Sequence, residues 1–459
     1  HFSPRDAVQN LDRLRAVGAL GRYGYHDAVD YTPERVPEGA ECAVVYNYMA
    51  HHQGMSIVAV ANAVFEGRMR DRFHSDPVIE AAELLLQEKA PRAIVVSPVR
   101  TEAEERPALE VTSQSSDIRK IAVPEKALKS TNLMSNGRYS MMLTATGTGC
   151  SRFDELAVTR WQADPSEDRQ GSFIFLRDLA TNEWWSATAE PRRAPDEQNE
   201  VIFGDDKASF IKTVGTLRSE VECIVVSEGD GEARRITLVN DGPSDRQIEV
   251  TSFCELVLAP EAADSSHPAF SKMFVETEIA QDARIVHARR RKRAPSDASI
   301  HAAHFVTVGS GAARDGEADT DRRAFIGRGR TLGEAAAFDP GAHLSGAQGF
   351  TLDPVFALRR RVRVPANKKV TLVFWTIVAS GRPEIDAAIA RLDNPDSFSR
   401  QSMLAWTRSQ VQTRHIGLSL SDAVNVQKLA AYLIYPSPHL RMPAETIAAG
   451  LGRQPALWP

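Results

Sequence analysis

Ser219-Glu220-Val221-Glu222-Cys223-Ile224-Val225-Val226 is followed by a turn, Glu228-Gly229-Asp230-Gly231, then by Arg235 to Val239 and a second turn, Asn240-Asp241-Gly242-Pro243. Half-alternating β-branched runs separated by Gly, Asp, Asn and Pro specify antiparallel neighbours. The signature recurs outward in both directions. Ser172-Phe173-Ile174-Phe175-Leu176 and Ala208-Ser209-Phe210-Ile211-Lys212 precede it; Gln247 to Phe253 and Val370 to Ile377 follow. From Thr131 to about Val378 strands dominate. Each alternating sheet has one face to bury, so two sheets must face each other. The expected fold class is mixed but mainly β: a large antiparallel β-sandwich over 131–380, flanked by α-helical segments.

The flanks have a different period. From Ser3 to about Ala90 the pattern is helical, with Val44 to Val64 a long apolar run rich in Ala, Val and Met. Asp76-Pro77 predicts the start of a further helix with Val78 to Lys89 as its body, Asp capping and Pro in the first turn. Residues 91–130 are rich in Pro, Glu and Ser and read as a linker. After Arg382-Pro383 helices return, over 381–418 and again over 419–459. Asn394-Pro395 caps a helix from Asp396 to Gln412; Ser421 to Tyr435 carries Val424, Leu429, Leu433 and Ile434 as an apolar stripe.

Composition excludes several classes. The 459 residues carry 55 basic and 60 acidic side chains, a net charge of −5. A hydrophobic share of 42% with 25% charged is that of a globular protein, not of a disordered chain or a polycation for nucleic acid. Four scattered cysteines without CxxC spacing read as thiols in a reducing compartment, small buried side chains rather than a disulfide frame or a zinc site. No apolar run reaches the ~20 residues of a membrane helix. Opening on His1 and ending on Leu457-Trp458-Pro459, the chain reads as an excerpt of something longer. The basic clusters Arg289 to Arg293, Arg359 to Arg361 and Arg322-Arg323 with Arg328 and Arg330 suit phosphate or an acidic partner; without interleaved aromatics they do not suit nucleic acid.

Three groups of residues carry chemistry. Asp27 and Asp30 stand among Tyr23, Tyr25, His26 and Tyr31. Glycoside chemistry needs two carboxylates and aromatic faces for sugar rings, so both are candidate catalytic residues with Tyr25 as a binding residue; the alternative for Asp30, which spacing alone favours, is to cap or brace its own loop. His51-His52-Gln53 interrupts an apolar helical run. Neighbouring helix positions diverge by about 100°, so the two imidazoles cannot share one metal; they either line a sugar-binding cleft with Gln53 or divide between core and surface. Arg160, Trp161 and Asp164 fall on a turn between strands, as a sugar-binding set or an Arg–Asp brace. No metal site and no organic cofactor is expected.

These residues resemble a known family. Gly24 to Thr32, Tyr48-Met49-Ala50-His51-His52-Gln53-Gly54-Met55-Ser56, and Arg72-Phe73-His74 to Gln87-Glu88 look like the end of the glycoamylase-like domain of bacterial cyclic β-1,2-glucan synthases. Asn136-Gly137-Arg138-Tyr139-Ser140 to Arg160-Trp161, and Gly171 to Asp178, are similar to the sandwich of the glycoside-phosphorylase domain that follows, a relative of cellobiose and chitobiose phosphorylases once grouped as family 36 glycosyltransferases. Gly452 to Pro459 looks like the opening of that domain's helical catalytic barrel. The resemblance implies a galactose-mutarotase-like supersandwich between parts of two helical toroids. It implies a large inner-membrane parent with this section on the cytoplasmic side, β-1,2-glucan chains and the remaining parent domains as partners, and a second copy of the phosphorylase domain as a candidate partner. Inorganic phosphate is the implied co-substrate, and the proton donor of phosphorolysis lies downstream of Pro459, which makes the excerpt inactive alone. The alternative is a carbohydrate-binding or dimerisation module of a glycoside phosphorylase. Three residues depart from the family pattern: Asp27, where relatives often carry Glu, and Asp154 and Pro455.

Overall fold

A computed structural model describes residues 3–76 (apart from 33, 34 and 38), 79, 118–122, 130–163 and 169–435 (apart from 281, 293–296, 298, 310 and 311). The chain divides into two units, His1–Glu110 and Val111–Pro459.

The second unit is the predicted sandwich, mainly β with large antiparallel sheets. One nine-stranded sheet runs Trp184–Ser186, Ser172–Asp178, Arg246–Pro260, Leu156–Thr159, Gly149–Phe153, Tyr139–Thr144, Thr131–Ser135, with Pro354–Val364 also paired to Arg246–Pro260 and Ala312–Asp321 beyond it. The other runs Val275–Ile279, Ile285–Arg290, Ile300–Val308, Lys368–Ala379, Asp230–Asn240, Leu217–Val225, Lys207–Val214, Gln198–Phe203, Arg119–Ala122. That last strand lies within the stretch read as a linker. Long strands dominate because the β-rich runs are continuous: Asp230–Asn240 pairs with Lys368–Ala379 along its whole length.

Alternation explains the layers. Ile174, Val250, Leu358, Val221, Ile236 and Phe374 fill the space between the sheets. Their neighbours face outward and need cover. Phe173, Phe175 and Phe253 are covered by Phe325 and Phe338 from the 322–344 connection. Trp375, Phe305 and Ile224 are covered by Ile385, Ile389 and Leu392 of the Arg382–Leu392 helix and by Phe398 of the Ser397–His415 helix. Asp154 opens the tight turn between two strands at a φ of 48°, a left-handed conformation that Asp tolerates. Cys223 and Cys254 are buried free thiols, and burial pushes their pKa up to about 11 and about 12.

The C-terminal helices start and stop near the expected residues. Ser397–His415 begins after Asn394, whose side chain accepts from the Asp396 amide at 2.9 Å. Leu420–Ile434 carries a capping box between Ser419 and Asp422. Its predicted stripe divides: Val424 and Ile434 are half-buried, whereas Leu429 and Leu433 are exposed.

In the first unit Pro4–Ala16, Ala50–Val64 and Arg68–His74 are helical. The apolar run expected as one helix is not one. Ala43–Val45 is a strand paired with Ala28–Asp30, and the helix starts only at Ala50. Val44 and Val45 are β-branched and find a strand partner, which outweighs a weak helical preference. The expected helix over Val78 to Lys89 lies outside the described residues except for Ile79, as do Asp164 and Pro455.

Candidate functional site

The first unit places Asp27 between two small hairpins. Leu20–Gly21 pairs with Gly24–Tyr25, and the backbone then turns into Ala28–Asp30. The Asp27 amide donates to the Asn47 carbonyl at 3.0 Å, which fixes the carboxylate opposite the first turn of the Ala50–Val64 helix. There His52 Nδ1 hydrogen-bonds Asp27 Oδ1. The next residue, Gln53, donates its amide to the Tyr25 carbonyl at 3.2 Å. Adjacent helix positions thus grip both ends of one tripeptide, as the divergence of helix side chains allows. The Asp27 side chain is 8% exposed, and His52 stands open to solvent. His51 lies outside this grip, its ring 4.1 Å from that of His52.

An aromatic wall flanks the pair. The His26 ring lies 5.0 Å from Tyr46 and 4.7 Å from Tyr48, with Tyr23 edge-on to Tyr48 at 5.9 Å. Gly21 closes this wall: a Cβ there would stand 2.2 Å from Tyr48 Oη and 2.6 Å from His26 Nε2. Tyr25, predicted to bind, turns its hydroxyl to the Leu11 carbonyl at 3.0 Å and contributes its backbone carbonyl to the grip.

Asp30 belongs to a different arrangement. It accepts from the Thr32 amide at 2.8 Å and lies 3.5 Å from Arg35. The hydrogen bonds from Thr32, with the Arg35 charge, hold its carboxyl below the usual value. A carboxylate accepting Nδ1–H directs the His52 Nε2 outward as an acceptor, so the Asp27–His52 pair can take a proton from, or return one to, a bound hydroxyl. Asp30 is built to stay ionised.

Arg160 and Trp161 lie in the second unit. Arg160 is 8% exposed, its Nε and Nη2 at 2.9 and 2.7 Å from the two Asp264 oxygens and its Nη1 3.0 Å from Glu255. Asp353, Lys272 and Arg322 extend the cluster. The Arg160 fork is therefore committed to bracing. Trp161 stands edge-on to Tyr435 at 5.7 Å and lines a groove of about 220 Å³ with Gln162, Cys150, Arg152 and Ile434. Sequence reasoning missed the Tyr46 and Tyr48 wall, although Tyr46-Asn47-Tyr48 is visible as aromatic density, and it missed Glu255 and Asp264, which no local pattern marks.

The basic clusters are paired with carboxylates: Arg359 is buried, whereas Arg289, Arg322 and Arg330 stand partly in solvent. Arg359 meets Glu249 and Glu317 at 3.3 Å each, Arg322 meets Glu255 at 2.7 Å, Arg330 meets Asp339 at 2.8 Å and Arg289 meets Glu276 at 2.6 Å. Among the described residues no group of three or more His, Cys, Asp and Glu is placed to hold a metal ion, and no helix is long and apolar enough to cross a membrane.

The chain is 58% identical over 458 residues to the cyclic beta-(1,2)-glucan synthase NdvB of Rhizobium meliloti (strain 1021), covering 100% of this chain and 16% of that protein. It thus spans about a sixth of the length of that curated relative. Among solved structures, a bacterial glucoamylase complexed with acarbose aligns at 9% identity and a TM-score of 0.37, covering 63% of this chain and 40% of its own. A putative kojibiose phosphorylase from the human microbiome aligns at 8% identity and a TM-score of 0.30, covering 65% and 35%. Residues 114–395, more than half of the chain, match the glycosyl hydrolase 94 supersandwich domain, and to that family the chain belongs.

Proposed function

We propose that this chain is an internal section of an enzyme that makes and length-trims cyclic β-1,2-glucan, and that its supersandwich is the scaffold of a glycoside-phosphorylase unit. The observation that carries this reading is the 58% identity to a cyclic beta-(1,2)-glucan synthase, which runs through both units. In this reading the parent sits in a bacterial inner membrane with this section on the cytoplasmic side. Inorganic phosphate is its co-substrate, and phosphorolysis needs one carboxylic acid to protonate the glycosidic oxygen while phosphate attacks. The sandwich holds that machinery without supplying the acid. In the first unit, Asp27 is the carboxylate that works on a glucan, positioned by His52 and Gln53, with His51 and the Tyr46–Tyr48 wall along the sugar path. Asp27 reaches one methylene less far than a glutamate and is held by His52.

Two measurements test the reading. The isolated chain, incubated with linear β-1,2-glucan with and without inorganic phosphate, is expected to release no glucose 1-phosphate and to form no ring; release of glucose 1-phosphate overturns the scaffold assignment. In the full-length parent, Asp27→Asn is expected to lower ring closure by about 10²–10⁴-fold, the range for losing an acid–base group, while linear glucan still accumulates. Unchanged ring closure removes Asp27 from the chemistry.

A second reading, carbohydrate binding by the sandwich itself, is favoured by the aromatic-edged groove at Trp161 and by a cleft on the opposite sheet.

A further inference from the structure

Three strands and one helix assemble a polar cleft that no sequence pattern announces. Register places Glu276 beside Arg289 and Arg289 beside His301; one step along, Glu278 lies beside His287 and His287 beside Ala303. The intervening residues Val275, Val286, Ala288, Ile300 and Ala302 point into the space between the sheets. Period two therefore sends Glu276, Glu278, His287, Arg289 and His301 to the outer face. The first turn of the Arg382–Leu392 helix closes one side: Arg382 reaches Glu278 at 2.9 Å and Asp386 at 2.9 Å. Gln348 closes another, its side-chain oxygen accepting from the Ile279 amide at 2.8 Å where Thr277 and Gly349 exchange backbone hydrogen bonds. The resulting cleft measures about 520 Å³, a size suited to a small ligand.

One group in it is unsatisfied. His287 is 7% exposed, yet its buried Nδ1 has no hydrogen-bond partner. Buried polar atoms are nearly always paired, so an orphan lining a cleft marks a place where a ligand or water completes the bonding.

The charges select the ligand class. Arg289 is matched by Glu276, and Arg382 by Glu278 and Asp386. Within the lining each cation thus has a carboxylate partner, and no metal-holding cluster stands among the described residues. Burial, together with the Arg382 and Arg289 charges, keeps His287 and His301 below the ordinary histidine pKa, so both are neutral at pH 7 and each offers one donor and one acceptor. Paired guanidinium and carboxylate groups beside neutral imidazoles match hydroxyls, each of which donates and accepts at once.

We propose that the cleft formed by Glu276, Glu278, His287, Arg289, His301 and Arg382 binds a neutral saccharide on the outer face of the sandwich. Saccharide follows from the cleft; only the choice of a β-1,2-linked probe rests on the function proposed above. The site holds a glucan chain on the scaffold between rounds of processing.

The test is calorimetric titration of the chain with a β-1,2-linked glucotetraose, a β-1,4-linked glucotetraose and inorganic phosphate. Binding of the β-1,2 probe is expected. His287→Leu is expected to weaken it about tenfold, the equivalent of one hydrogen bond, without lowering the melting temperature, because the Nδ1 has no partner to lose. A merely structural histidine would lower the melting temperature instead. Arg289→Met, at the exposed rim, is expected to weaken binding without unfolding the chain, and Trp161→Ala to leave it unchanged. The cleft is overturned if neither tetraose binds at millimolar concentration, if phosphate alone gives heat, or if Trp161→Ala abolishes binding while the cleft variants do not. Binding of the β-1,4 probe alone, lost in His287→Leu, upholds the cleft and counts against the β-1,2-glucan reading.

Discussion

Arg160 holds three carboxylates on one planar group, and the geometry predicts what its loss does. Burial by itself would lower the pKa of the guanidinium; the hydrogen bonds and charge of Asp264, with Glu255, outweigh it and hold the group above its ordinary value. Arg160→Met strands Asp264 in a buried site. Breaking such a pair costs about 3–5 kcal/mol, to be read from guanidinium unfolding of the sandwich. Arg160→Lys is expected to restore only part of this, because one ammonium cannot meet both Asp264 oxygens and Glu255 together. A loss under about 1 kcal/mol, the range of exposed pairs, would show the cluster to be solvated. His304 makes a different prediction. It lies between Phe356 and Phe374, with Ser252 Oγ 2.8 Å from Nε2 and Thr376 Oγ1 2.9 Å from Nδ1. Burial, helped by the Arg234 charge, depresses its pKa to about 3. Below the unfolded value of 6.5 the unfolded chain takes a proton that the native imidazole refuses, so stability falls as pH falls from 6.5 toward 3. This one group makes the sandwich about 2 kcal/mol less stable at pH 5 than at pH 7. Denaturant curves of His304→Gln at the two pH values should lack that increment; an equal drop in both proteins would place the proton elsewhere.

At the scale of elements, the sandwich solves its edge problem with a side chain. Thr131–Ser135 is the last strand of its sheet, and its outer backbone groups need partners. The Leu133 amide donates to Gln427 Oε1 at 2.9 Å, and Gln427 Nε2 donates to the Leu133 carbonyl at 2.7 Å. A glutamine amide carries the donor and acceptor of a peptide, so the Leu420–Ile434 helix caps the strand as a further strand would. Gln427→Leu removes both bonds at a cost of about 1–3 kcal/mol. Hydrogen exchange should show protection lost at Leu133 and kept in Tyr139–Thr144; protection kept at both would mean that the helix docks without this contact. The elements also show what the sequence made legible. Ser219 to Val226 and Val370 to Ile377 were readable because turns bracket them and their alternation is local. Arg119–Ala122 was not, because its partner Gln198–Phe203 lies far along the chain and nothing nearby signals a strand. Ala43–Val45 was hidden inside an apolar run too uniform to show a change of period. The MAHHQGM run exposed His52 and Gln53 as candidates, but their grip on Asp27 and Tyr25 depends on two small strand pairs, with strands of two residues in one and three in the other. Of the His287 cleft only Arg289 stands out in the sequence, within a basic run that suits phosphate or an acidic partner; the other members read as ordinary solvated positions, and only register brings them together.

The two units differ in how much of themselves they bury, and this sets the behaviour of the whole molecule. The second unit has a core between its sheets and covered outer faces on both sides. In the first, Ala19 is the buried hydrophobic among the described residues, while Ile57 at 69% and Val60 at 62% exposure stand on a helix that is apolar on nearly every side. A helix of that kind is built to be enclosed. In the parent enzyme proposed above neighbouring helices would cover it; in the chain by itself the exposed surface can meet other copies. The chain at tens of micromolar is therefore expected to associate as concentration rises and to bind a hydrophobic dye. Its calorimetric scan should show two transitions, the first unit melting below the sandwich, because its few buried groups leave little to oppose chain entropy. The double substitution Ile57→Lys with Val60→Lys separates the two effects. It should reduce association and dye binding, because charge replaces the exposed apolar atoms, and it should leave the upper transition in place, because neither residue belongs to the sandwich. If the unsubstituted chain sediments as a monomer without binding dye, the surface is covered in solution by something within the chain itself. If the substitutions lower the upper transition, the two units do not melt as separate bodies.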